Sequence, residues 1–393
     1  MEIMRQAVIL AGGQGTRLMP LTADKPKPLV EVAGRPFLEY LLELLKENGI
    51  ERVLILTGHM GEMIENYFGN GAKYGLSITY HWSKSEAETG TRLRNARAIL
   101  DDEFLLLYCD NYWPLKLDKL MQFRKEHGNA ATAVVYTNKD NYSKNNMRVG
   151  EDGLIELYDK SRTAPDLNGI DVGFFILHKS ALGLLPEGNQ SFEKEVLPPL
   201  IEQKKLAGYF TDHRYYTIGS LERFEQAVEF LRPKKIAILD RDGVINKKPP
   251  KAEYVKKWSE FEFLPDAKEA IAGLTQKGYE IYLISNQAGI ARGAMSESDL
   301  SDIHAKMLAE IEKSGGHVAG IYHCPHGWDE GCECRKPKPG MLFAAAREHH
   351  FDLTKAVFIG DDERDGSAAE AADCPFRMVD ESHSLLSIAR SLP

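Results

Sequence analysis

The sequence predicts an α/β protein with mostly parallel sheets, organised as two domains. Predicted strands alternate with predicted helices along the whole chain, and no repeat of solenoid length interrupts this order. The 393 residues are enough for two domains that each bury a core. Two phosphate-handling signatures, at Gly12–Pro28 and Ile238–Asn246, each follow the start of a predicted buried strand. We therefore expect one site in each domain.

The predicted elements also locate the boundary between the domains. Apolar residues at helical spacing predict a helix over Phe37–Asn48 that ends at Gly49. A second helix, over Leu221–Leu231, is followed by Pro233, which stops it, and the strand–loop–helix order then restarts. We place the boundary near Pro233, giving domains 1–232 and 233–393. Core strands are predicted at Gln6–Ala11, Arg52–Thr57, Phe104–Cys109, Ile236–Leu239, Glu280–Ile284 and Ala356–Ile359.

Composition excludes several classes of protein. A 43% hydrophobic and 27% charged content is typical of a soluble globular protein, and the net charge of -9 argues against non-specific nucleic-acid binding. Met1–Arg5 contains no signal-peptide pattern, and no apolar stretch approaches the roughly 20 residues of a membrane span. We expect a cytoplasmic protein. Five cysteines, three of them within Cys324–Cys334, indicate a reducing compartment and a metal rather than a disulfide framework.

The first signature has the chemistry of a phosphate-binding loop. Gly12, Gly13 and Gly15 let the backbone approach a bound group, and their N–H groups can form an anion-binding nest. Arg17 and Lys27 add fixed positive charge that would stabilise phosphoryl or nucleotidyl transfer. A glycine-rich turn alone is weak evidence, since it also occurs in ordinary strand–helix connections. The spacing over sixteen positions is far more restrictive.

Gly13–Pro28 matches, position for position, the G-x-G-T-R-L-x-P-x-T-x-x-x-P-K-P signature of the sugar-1-phosphate nucleotidyltransferases, and the resemblance extends to about Leu231. It implies a doubly wound, Rossmann-like GT-A fold. A sugar 1-phosphate oxygen would attack the α-phosphorus of a nucleoside triphosphate and release pyrophosphate, with Lys27 and Arg17 as catalytic residues. The resemblance further implies nucleotide binding by Ala11, Gly12, Gly13, Gly15, Thr16, Arg17 and Lys27, magnesium binding by Asp110, and sugar-phosphate contacts by Asn111, Lys160 and Asp171.

Two departures from the family pattern leave alternatives open. Tyr216–Gly219 has Thr217 where the family usually has a second magnesium-binding aspartate, and a neutral hydroxyl cannot replace a carboxylate on a hard cation. Either Asp110 holds the metal together with the triphosphate and water, or Asp212 replaces the missing aspartate as a metal ligand, or nucleotidyl transfer is impaired. Where many relatives read Leu-Gly-Thr-Gly-Gly-Ala, this chain reads Ala-Glu-Thr-Gly-Thr-Arg. Its Glu88 and Arg92 would either alter the choice of substrate or base, or be plain surface charges.

The second signature carries paired carboxylates. Asp240 and Asp242 flank Arg241 at the carboxyl end of a predicted strand, where ligands of open α/β sheets bind. Both carboxylates can point at one cation. One aspartate can then attack phosphorus while the other protonates the leaving oxygen and later activates water. The expected companions follow in order: Ser285, Lys336 and Asp361.

These ordered motifs resemble those of the haloacid-dehalogenase (HAD)-like phosphatases, from about Lys235 to Pro393. The resemblance implies that Asp240 is the nucleophile, that Asp242 is the acid/base, and that Ser285 and Lys336 bind the phosphate oxygens. It assigns substrate binding to Asn286 and Arg335, and a magnesium site to Asp240, the main-chain carbonyl of Asp242, and Asp361.

Within that superfamily, DRDGVIN, SNQAGIARG and CRKPKPGM resemble the heptose-bisphosphate and histidinol-phosphate phosphatases, a branch that carries a zinc loop. Three thiolates and one imidazole would complete a tetrahedral shell, so the zinc would be structural and would shape the loop that delivers Arg335 and Lys336. Cys109 and Cys374 are expected only to pack. The predicted zinc ligands are Cys324, His326, Cys332 and Cys334.

The order of the two domains narrows the substrate. A phosphatase that removes the distal phosphate of a sugar 1,n-bisphosphate produces the sugar 1-phosphate that the first domain consumes. D-glycero-D-manno-heptose 1,7-bisphosphate satisfies both halves, and RPFLEYLLELL and SFEKEVLPPL resemble the heptose-1-phosphate guanylyltransferases within the mannose-1-phosphate guanylyltransferase-like group. The resemblance implies synthesis of GDP-heptose for bacterial surface glycans such as lipopolysaccharide, by an enzyme that could form homo-oligomers.

Two alternatives remain. In one, Thr217 marks a first domain that binds nucleotide or sugar without transferring. In the other, the phosphatase acts on histidinol phosphate.

Overall fold

A computed structural model describes residues 4–250 and 252–393. The chain divides into two compact units, and the division falls between Leu231 and Arg232. Both units are α/β, with helices on the two faces of a largely parallel sheet, as predicted for the fold class. None of the helices within the described residues is long and apolar enough to cross a membrane.

Unit 1 is built around one large sheet. The strands of the whole unit, some of which form small two-stranded sheets beside the large one, are β1 (Gln6–Ala11), β2 (Glu31–Val32), β3 (Arg35–Pro36), β4 (Arg52–Thr57), β5 (Ser77–Trp82), β6 (Glu103–Tyr108), β7 (Asn111–Tyr112), β8 (Ala131–Tyr136), β9 (Met147–Val149), β10 (Ile155–Tyr158), β11 (Ile170–His178), β12 (Leu206–Thr211) and β13 (Tyr216–Thr217). Its helices are α1 (Phe37–Glu47), α2 (Gly61–Phe68), α3 (Thr89–Asn95), α4 (Leu117–His127), α5 (Phe192–Glu195), α6 (Leu197–Glu202) and α7 (Leu221–Leu231).

The central sheet of unit 1 has the strand order β12-β8-β11-β6-β1-β4-β5. β1 pairs in parallel with both β4 and β6, whereas β11 runs antiparallel to its neighbours β6 and β8. The chain moves outward from β1 through β4 and β5, then returns to β6 on the other side of β1. The strand order therefore reverses between β1 and β6. Open α/β sheets bind their ligands at such a point, beyond the carboxyl ends of the strands.

The burial of β1 explains its continuous apolar sequence. Ala7 and Ile9 pack into the core on one face of the sheet, and Val8 and Leu10 pack into the core on the other. A strand covered on both faces has no solvent-facing side, so it lacks the polar–apolar alternation of a half-exposed strand. The first glycine signature begins directly after this strand, which gives the loop a rigid base.

Unit 2 has a smaller, fully parallel sheet with the order β16-β15-β14-β17-β18. Its strand order reverses between β14 and β17, so the loops after these strands meet at one edge. The strands are β14 (Lys235–Leu239), β15 (Tyr279–Asn286), β16 (Gly320–Cys324), β17 (Val357–Gly360) and β18 (Phe376–Met378). The helices are α8 (Ala267–Gln276), α9 (Glu297–Lys313), α10 (Gly340–His349), α11 (Glu363–Ala371) and α12 (Leu385–Ser391).

Candidate active sites

A cavity of about 380 Å³ lies at the reversal point of unit 1. Gly12, Gly13 and Gly15 line it together with Lys27 and Asp110. Gly15 has a φ of 68°, a left-handed conformation that favours glycine at this turn. The arrangement brings a glycine loop, a cation and a carboxylate around one space, as a nucleotide site would require.

Lys27 and Asp110 form an ion pair in this cavity. Lys27 Nζ lies 2.9 Å from Asp110 Oδ2, and both side chains are largely buried. Lys27 begins a 3-10 turn just after Pro26, which fixes the approach of the chain. By contrast, Thr16 and Arg17 are exposed on another 3-10 turn and do not line the cavity. Of the predicted nucleotide-binding residues, the structure thus gathers Gly12, Gly13, Gly15 and Lys27 around the cavity, whereas Thr16, Arg17 and the buried Ala11 do not line it.

The hydrogen bonds around Thr217 and Asp212 bear on which residue of unit 1 could bind magnesium. Thr217 Oγ1 donates a hydrogen bond to the main-chain oxygen of Asp110 at 3.0 Å, so a neutral hydroxyl does occupy the place beside the predicted metal ligand. Asp212 is bound elsewhere: its carboxylate accepts from Thr137 Oγ1 and lies 2.9 Å from Lys139 Nζ. These bonds disfavour the alternative in which Asp212 moves in, and leave Asp110 as the acidic group of this cavity that pairs with Lys27.

The predicted sugar contacts lie around the start of β11. Asn111 Nδ2 donates to the main-chain oxygen of Val172, and Asp171 Oδ1 accepts from the N–H of Gly173, both at 2.8 Å. Burial raises the pKa of Asp171 to about 7, although the Gly173 hydrogen bond opposes this change. Lys160 is exposed, but its charge is near enough to lower the pKa of Asp171. The three predicted contacts therefore occupy one region.

Glu193 was not predicted from sequence. Its carboxylate accepts hydrogen bonds from Tyr108 OH, from Thr89 Oγ1 at 3.0 Å and from Ser191 Oγ at 2.7 Å. Tyr108 and Thr89 both line the cavity. Glu193 therefore anchors two cavity residues from different elements. The only sequence signal was its place within SFEKE, which does not reveal these partners.

The candidate site of unit 2 is centred on a buried lysine ammonium group that lies between two carboxylates. Lys336 Nζ lies 2.9 Å from Asp240 Oδ1 and 2.6 Å from Asp365 Oδ1. Burial and the nearby Asp365 carboxylate raise the pKa of Asp240, while Lys336 opposes the rise. Burial acts to lower the pKa of the Lys336 ammonium, but the two carboxylates together outweigh it and raise this pKa, so the lysine stays charged. The site opens into a cavity of about 1010 Å³.

The Asp242 carboxylate is held away from the candidate metal site. The sequence left open that this carboxylate and that of Asp240 point at one cation. Instead, both oxygens of Asp242 accept hydrogen bonds from Arg241, and they also accept from Asn246 and Gln287. These donors lower the pKa of Asp242 against the effect of burial. The Asp242 side chain is therefore held on its own set of donors, and any metal bond from this residue would come from its main-chain oxygen, as the resemblance implies.

Arg241 is itself held in place by His304. Its guanidinium is 1% exposed, and Nη1 lies 3.2 Å from Nε2 of His304 on α9. Burial lowers the pKa of His304 to about 3, so its imidazole is neutral and accepts from Arg241. This arrangement orients the guanidinium toward Asp242. Sequence reasoning missed His304, because it lies far along the chain from the signature.

The remaining predicted phosphate contacts lie beside Lys336. Ser285 is buried at the carboxyl end of β15 and accepts from Gln287 Nε2 at 2.6 Å. Asn286 bonds the main chain of Lys336 in both directions: Nδ2 donates to its oxygen, and Oδ1 accepts from its N–H. Arg335 lines the same cavity. These bonds join the end of β15 to the segment that carries Lys336.

A cation fits the carboxylates after β14 and β17. Oxygens of Asp240, Asp361 and Asp365 lie within 4.8 Å of one another. Asp361 Oδ1 is buried without a hydrogen-bond partner, while Oδ2 lies 2.8 Å from Lys248 Nζ. A buried carboxylate oxygen without a partner is costly unless an unplaced ion satisfies it. These oxygen donors suit magnesium. Asp365 was not predicted, although its position four residues after Asp361 at the start of α11 was a usable signal.

The four predicted zinc ligands converge. The Cys324 and Cys334 Sγ atoms lie 3.3 Å apart, and His326 Nδ1 lies 3.2 Å from Cys334 Sγ. Cys332 Sγ is 3.6 Å from both other thiols. Three sulfurs and one imidazole nitrogen at these separations fit a closed tetrahedral zinc site. Cys109 and Cys374 are buried apart from this cluster and form no disulfide.

This geometry gives a prediction for zinc removal. The loop that carries these four candidate ligands leads directly into Arg335 and Lys336, so if zinc holds the loop, its loss would displace Lys336 from Asp240. Stripping zinc with a chelator and then restoring magnesium should lower the phosphatase rate by about tenfold or more. The rate of nucleotidyl transfer should be unchanged. A control sample that receives both zinc and magnesium after chelation should regain its full phosphatase rate. An apoprotein that keeps its full phosphatase rate, with zinc loss verified by elemental analysis, would contradict a structural role.

Two family models match the chain. One, described as nucleotidyl transferase, covers residues 6–234, and the other, described as polynucleotide kinase 3 phosphatase, covers residues 235–382. The D-glycero-beta-D-manno-heptose-1,7-bisphosphate 7-phosphatase of Pseudomonas aeruginosa is 40% identical over 160 residues, which are 41% of this chain and 89% of that protein. The glucose-1-phosphate cytidylyltransferase of Salmonella typhimurium is 31% identical over 227 residues, 52% of this chain and 87% of that protein.

A solved structure supports the fold of unit 1. The crystal structure of HddC from Yersinia pseudotuberculosis matches with a TM-score of 0.50 and 24% identity, over 57% of this chain and 99% of that one. Taken with the family matches, the site geometry defines an enzyme in which a nucleotidyltransferase precedes a HAD-like phosphatase. The chain belongs to the nucleotidyl transferase family and is a bifunctional fusion with both activities.

Proposed function

We propose that unit 2 removes the 7-phosphate of D-glycero-D-manno-heptose 1,7-bisphosphate and that unit 1 transfers a nucleotidyl group to the resulting heptose 1-phosphate. The observation that carries this proposal is the placement of Lys336 on Asp240 in a unit that is 40% identical to a heptose-bisphosphate phosphatase. The product of the first reaction is a sugar 1-phosphate, which is the acceptor that a sugar nucleotidyltransferase uses. The proposal places the enzyme in the cytoplasm, where nucleoside triphosphates are available.

In the phosphatase step, a carboxylate oxygen of Asp240 attacks the 7-phosphorus and forms an aspartyl-phosphate. The bond from phosphorus to the sugar oxygen breaks, and Asp242 supplies the proton that this oxygen takes up. Asp242 then removes a proton from the water that hydrolyses the aspartyl-phosphate. Lys336 offsets the charge on the phosphoryl oxygens, and its contact with Asp365 keeps it in place. Magnesium held by Asp240 and Asp361 would add positive charge at the same oxygens.

The position of Arg241 separates the role of Asp242 from that of the nucleophile Asp240. Since Arg241, Asn246 and Gln287 hold its carboxylate, Asp242 cannot rotate freely to compete with Asp240 for phosphorus. Two neighbouring aspartates thus have separate roles because their surroundings differ: Asp240 contacts a cationic lysine, and Asp242 is held by three donors.

In the transfer step, an oxygen of heptose 1-phosphate attacks the α-phosphorus of the triphosphate, and pyrophosphate leaves. Lys27 would stabilise the charge that builds on the phosphates, and Asp110 would hold magnesium. We propose GTP as the donor, from the resemblance to the guanylyltransferases. CTP is the second candidate, because the Salmonella relative is a cytidylyltransferase.

A second candidate function has unit 1 bind nucleotide or sugar without transferring. Thr217 favours it, since its hydroxyl lies beside Asp110 and brings no second negative charge to a metal there. Under this alternative the protein is a phosphatase with an attached binding domain.

The experiment that tests the proposal supplies magnesium, the α- or β-anomer of heptose 1,7-bisphosphate, and GTP, CTP, ATP or UTP in separate reactions. Phosphate, pyrophosphate and the mass of the nucleotide sugar are followed. We expect one triphosphate to yield a nucleotide-heptose together with phosphate and pyrophosphate. Phosphate without pyrophosphate in every reaction would support the binding-only alternative. Faster release from histidinol phosphate than from either heptose anomer would contradict the proposed substrate.

A further inference from the structure

Arg92 is a buried cation beneath the nucleotide cavity. Its side chain on α3 is only 3% exposed, although arginine is rarely buried without a partner. Its Nη1 donates to the main-chain oxygen of Thr57 at 2.5 Å. Its Nη2 lies within hydrogen-bond distance of three more oxygens, those of Gly12 at 3.1 Å, Lys84 at 3.1 Å and Ser85 at 3.2 Å. The surface-charge alternative for Arg92 is therefore wrong.

These four oxygens belong to three separate parts of unit 1. Gly12 opens the glycine loop after β1, Thr57 ends β4, and Lys84 and Ser85 follow β5. Gly12 and Ser85 also line the cavity. One guanidinium, whose donors lie in a fixed plane, thus connects the loops that follow three adjacent strands.

Two glycines provide the space for this guanidinium. A Cβ at Gly12 would lie 2.2 Å from Arg92 Cζ, and a Cβ at Gly58 would lie 2.4 Å from Arg92 Nη1. Both separations are far below van der Waals contact. Gly58 does not have a positive φ, so the space for Arg92, rather than backbone conformation, excludes a larger residue there.

The bond to Gly12 also sets the direction of a neighbouring donor. In a trans peptide unit the C=O and the N–H point in opposite directions. Arg92 and the main-chain N–H of His59, which donates to the same oxygen at 3.3 Å, together hold the Gly12 oxygen, so the N–H of Gly13 points away from them. Gly13 lines the cavity and has open space beside its Cα. An N–H group that is turned away from the guanidinium beside an open cavity can donate to a phosphate bound there.

The guanidinium charge is not neutralised by an ion pair. Within the described residues, no carboxylate forms a salt bridge with Arg92, and Glu88 acts on it only through space. Burial lowers the pKa of Arg92, but an arginine stays protonated near neutral pH. The wall of the cavity therefore carries the fixed positive charge of Arg92. Main-chain carbonyl groups solvate this charge, and no carboxylate of the described residues neutralises it.

We propose that Arg92 is a positioning residue for the nucleoside triphosphate: it clamps the glycine loop to the ends of β4 and β5 and directs positive charge and the Gly13 N–H toward the phosphates. This inference rests on the proposed function of unit 1. Arg92 stands where the family pattern described above has alanine, which has no group that could make these hydrogen bonds.

The test compares Arg92→Ala, Arg92→Lys, Gly58→Ala and the Arg92→Ala/Gly58→Ala double variant in the full chain. KM is measured separately for GTP, CTP and heptose 1-phosphate, with Kd for each magnesium nucleotide by calorimetry. We expect Arg92→Ala to raise KM and Kd for the nucleotide by about tenfold to a hundredfold, with KM for the sugar phosphate little changed. Arg92→Lys should restore only part of the loss, because lysine keeps the charge but not the planar fork of donors.

Gly58→Ala should weaken nucleotide binding in the same way, since its methyl group would displace the guanidinium. Once Arg92 is absent, that methyl group has nothing to displace, so the double variant should be no weaker than Arg92→Ala alone. The phosphatase rate of the same samples reports that each variant is folded and active in unit 2, and thermal unfolding monitors unit 1.

The outcomes separate this inference from the function on which it rests. If the unaltered protein bound neither nucleotide, the proposed function of unit 1 would fail and the inference with it. If it bound and transferred, but Arg92→Ala had the same nucleotide Kd, only the inference would be overturned. Equal rises in KM for nucleotide and sugar, or additive losses in the double variant, would also overturn it, because they indicate general damage to unit 1.

Discussion

Replacing Asp240 with asparagine is expected to abolish phosphate release while leaving nucleotidyl transfer from supplied heptose 1-phosphate unchanged. Asparagine keeps the shape of the side chain, but its amide cannot form the aspartyl-phosphate. It also removes the negative charge from one of the two side chains that hold Lys336, and this side chain is also one ligand of the candidate metal site. We expect the phosphatase rate to fall by about 10³-fold or more. Phosphate release and nucleotide-sugar formation are measured on the same sample.

The matched control is Asp302→Asn, which changes the same atoms on the exposed face of α9, where Asp302 pairs with Lys306. This variant should keep both activities, because exposed ion pairs contribute little to stability. If Asp240→Asn lowered both activities together while Asp302→Asn lowered neither, the assignment of two independent sites would be wrong.

The sequence was sufficient to predict the fold class and the positions of the main loops. β1 and β14 are short apolar strands followed at once by glycine or aspartate, and local patterning of this kind depends on few long-range contacts. Because parallel strands end at one edge of a sheet, the sequence could also place Asp240 near Asp361. The predicted zinc ligands converge for a similar reason, since all four lie within eleven residues.

Side-chain direction could not be predicted in the same way. Asp242 is two residues from Asp240, yet its carboxylate faces Arg241, Asn246 and Gln287, the last of which lies in the loop after β15. Spacing along one turn gave no information about those donors. The sequence therefore indicated which residues lie near the site, but not which of them face the metal.

Residues that act through distant partners were the least accessible to sequence reasoning. Arg92 is a departure from the family pattern, and sequence alone left it between a specificity role and a surface charge. Arg92 is buried because it bonds the main-chain oxygens of Thr57 and Gly12, which lie 35 and 80 residues away along the chain, and the sequence does not show that these oxygens are near it. Glu193 is similar, because its partner Tyr108 lies 85 residues away and only the folded chain brings them together.

The second large effect is expected from Lys27→Ala in unit 1. Lys27 Nζ is the cation that contacts Asp110 in the nucleotide cavity, at 2.9 Å. Its loss would remove charge stabilisation at the phosphates and would leave the Asp110 carboxylate without its partner. We expect nucleotidyl transfer to fall by about 10²-fold to 10³-fold, with the fall mainly in kcat, while the phosphatase rate stays unchanged. Pyrophosphate release and phosphate release report the two activities.

Lys125→Ala on the exposed side of α4 is the matched control, because it removes an identical side chain that has no ion pair in the described structure. It should leave both activities intact. Asp110→Asn gives a further comparison: if Asp110 holds magnesium, this variant should need more magnesium for half-maximal transfer, whereas Lys27→Ala should not. Equal magnesium requirements in both variants would indicate that Asp110 only positions Lys27. The metal would then be held by the triphosphate and water alone, a binding mode that would account for threonine at position 217.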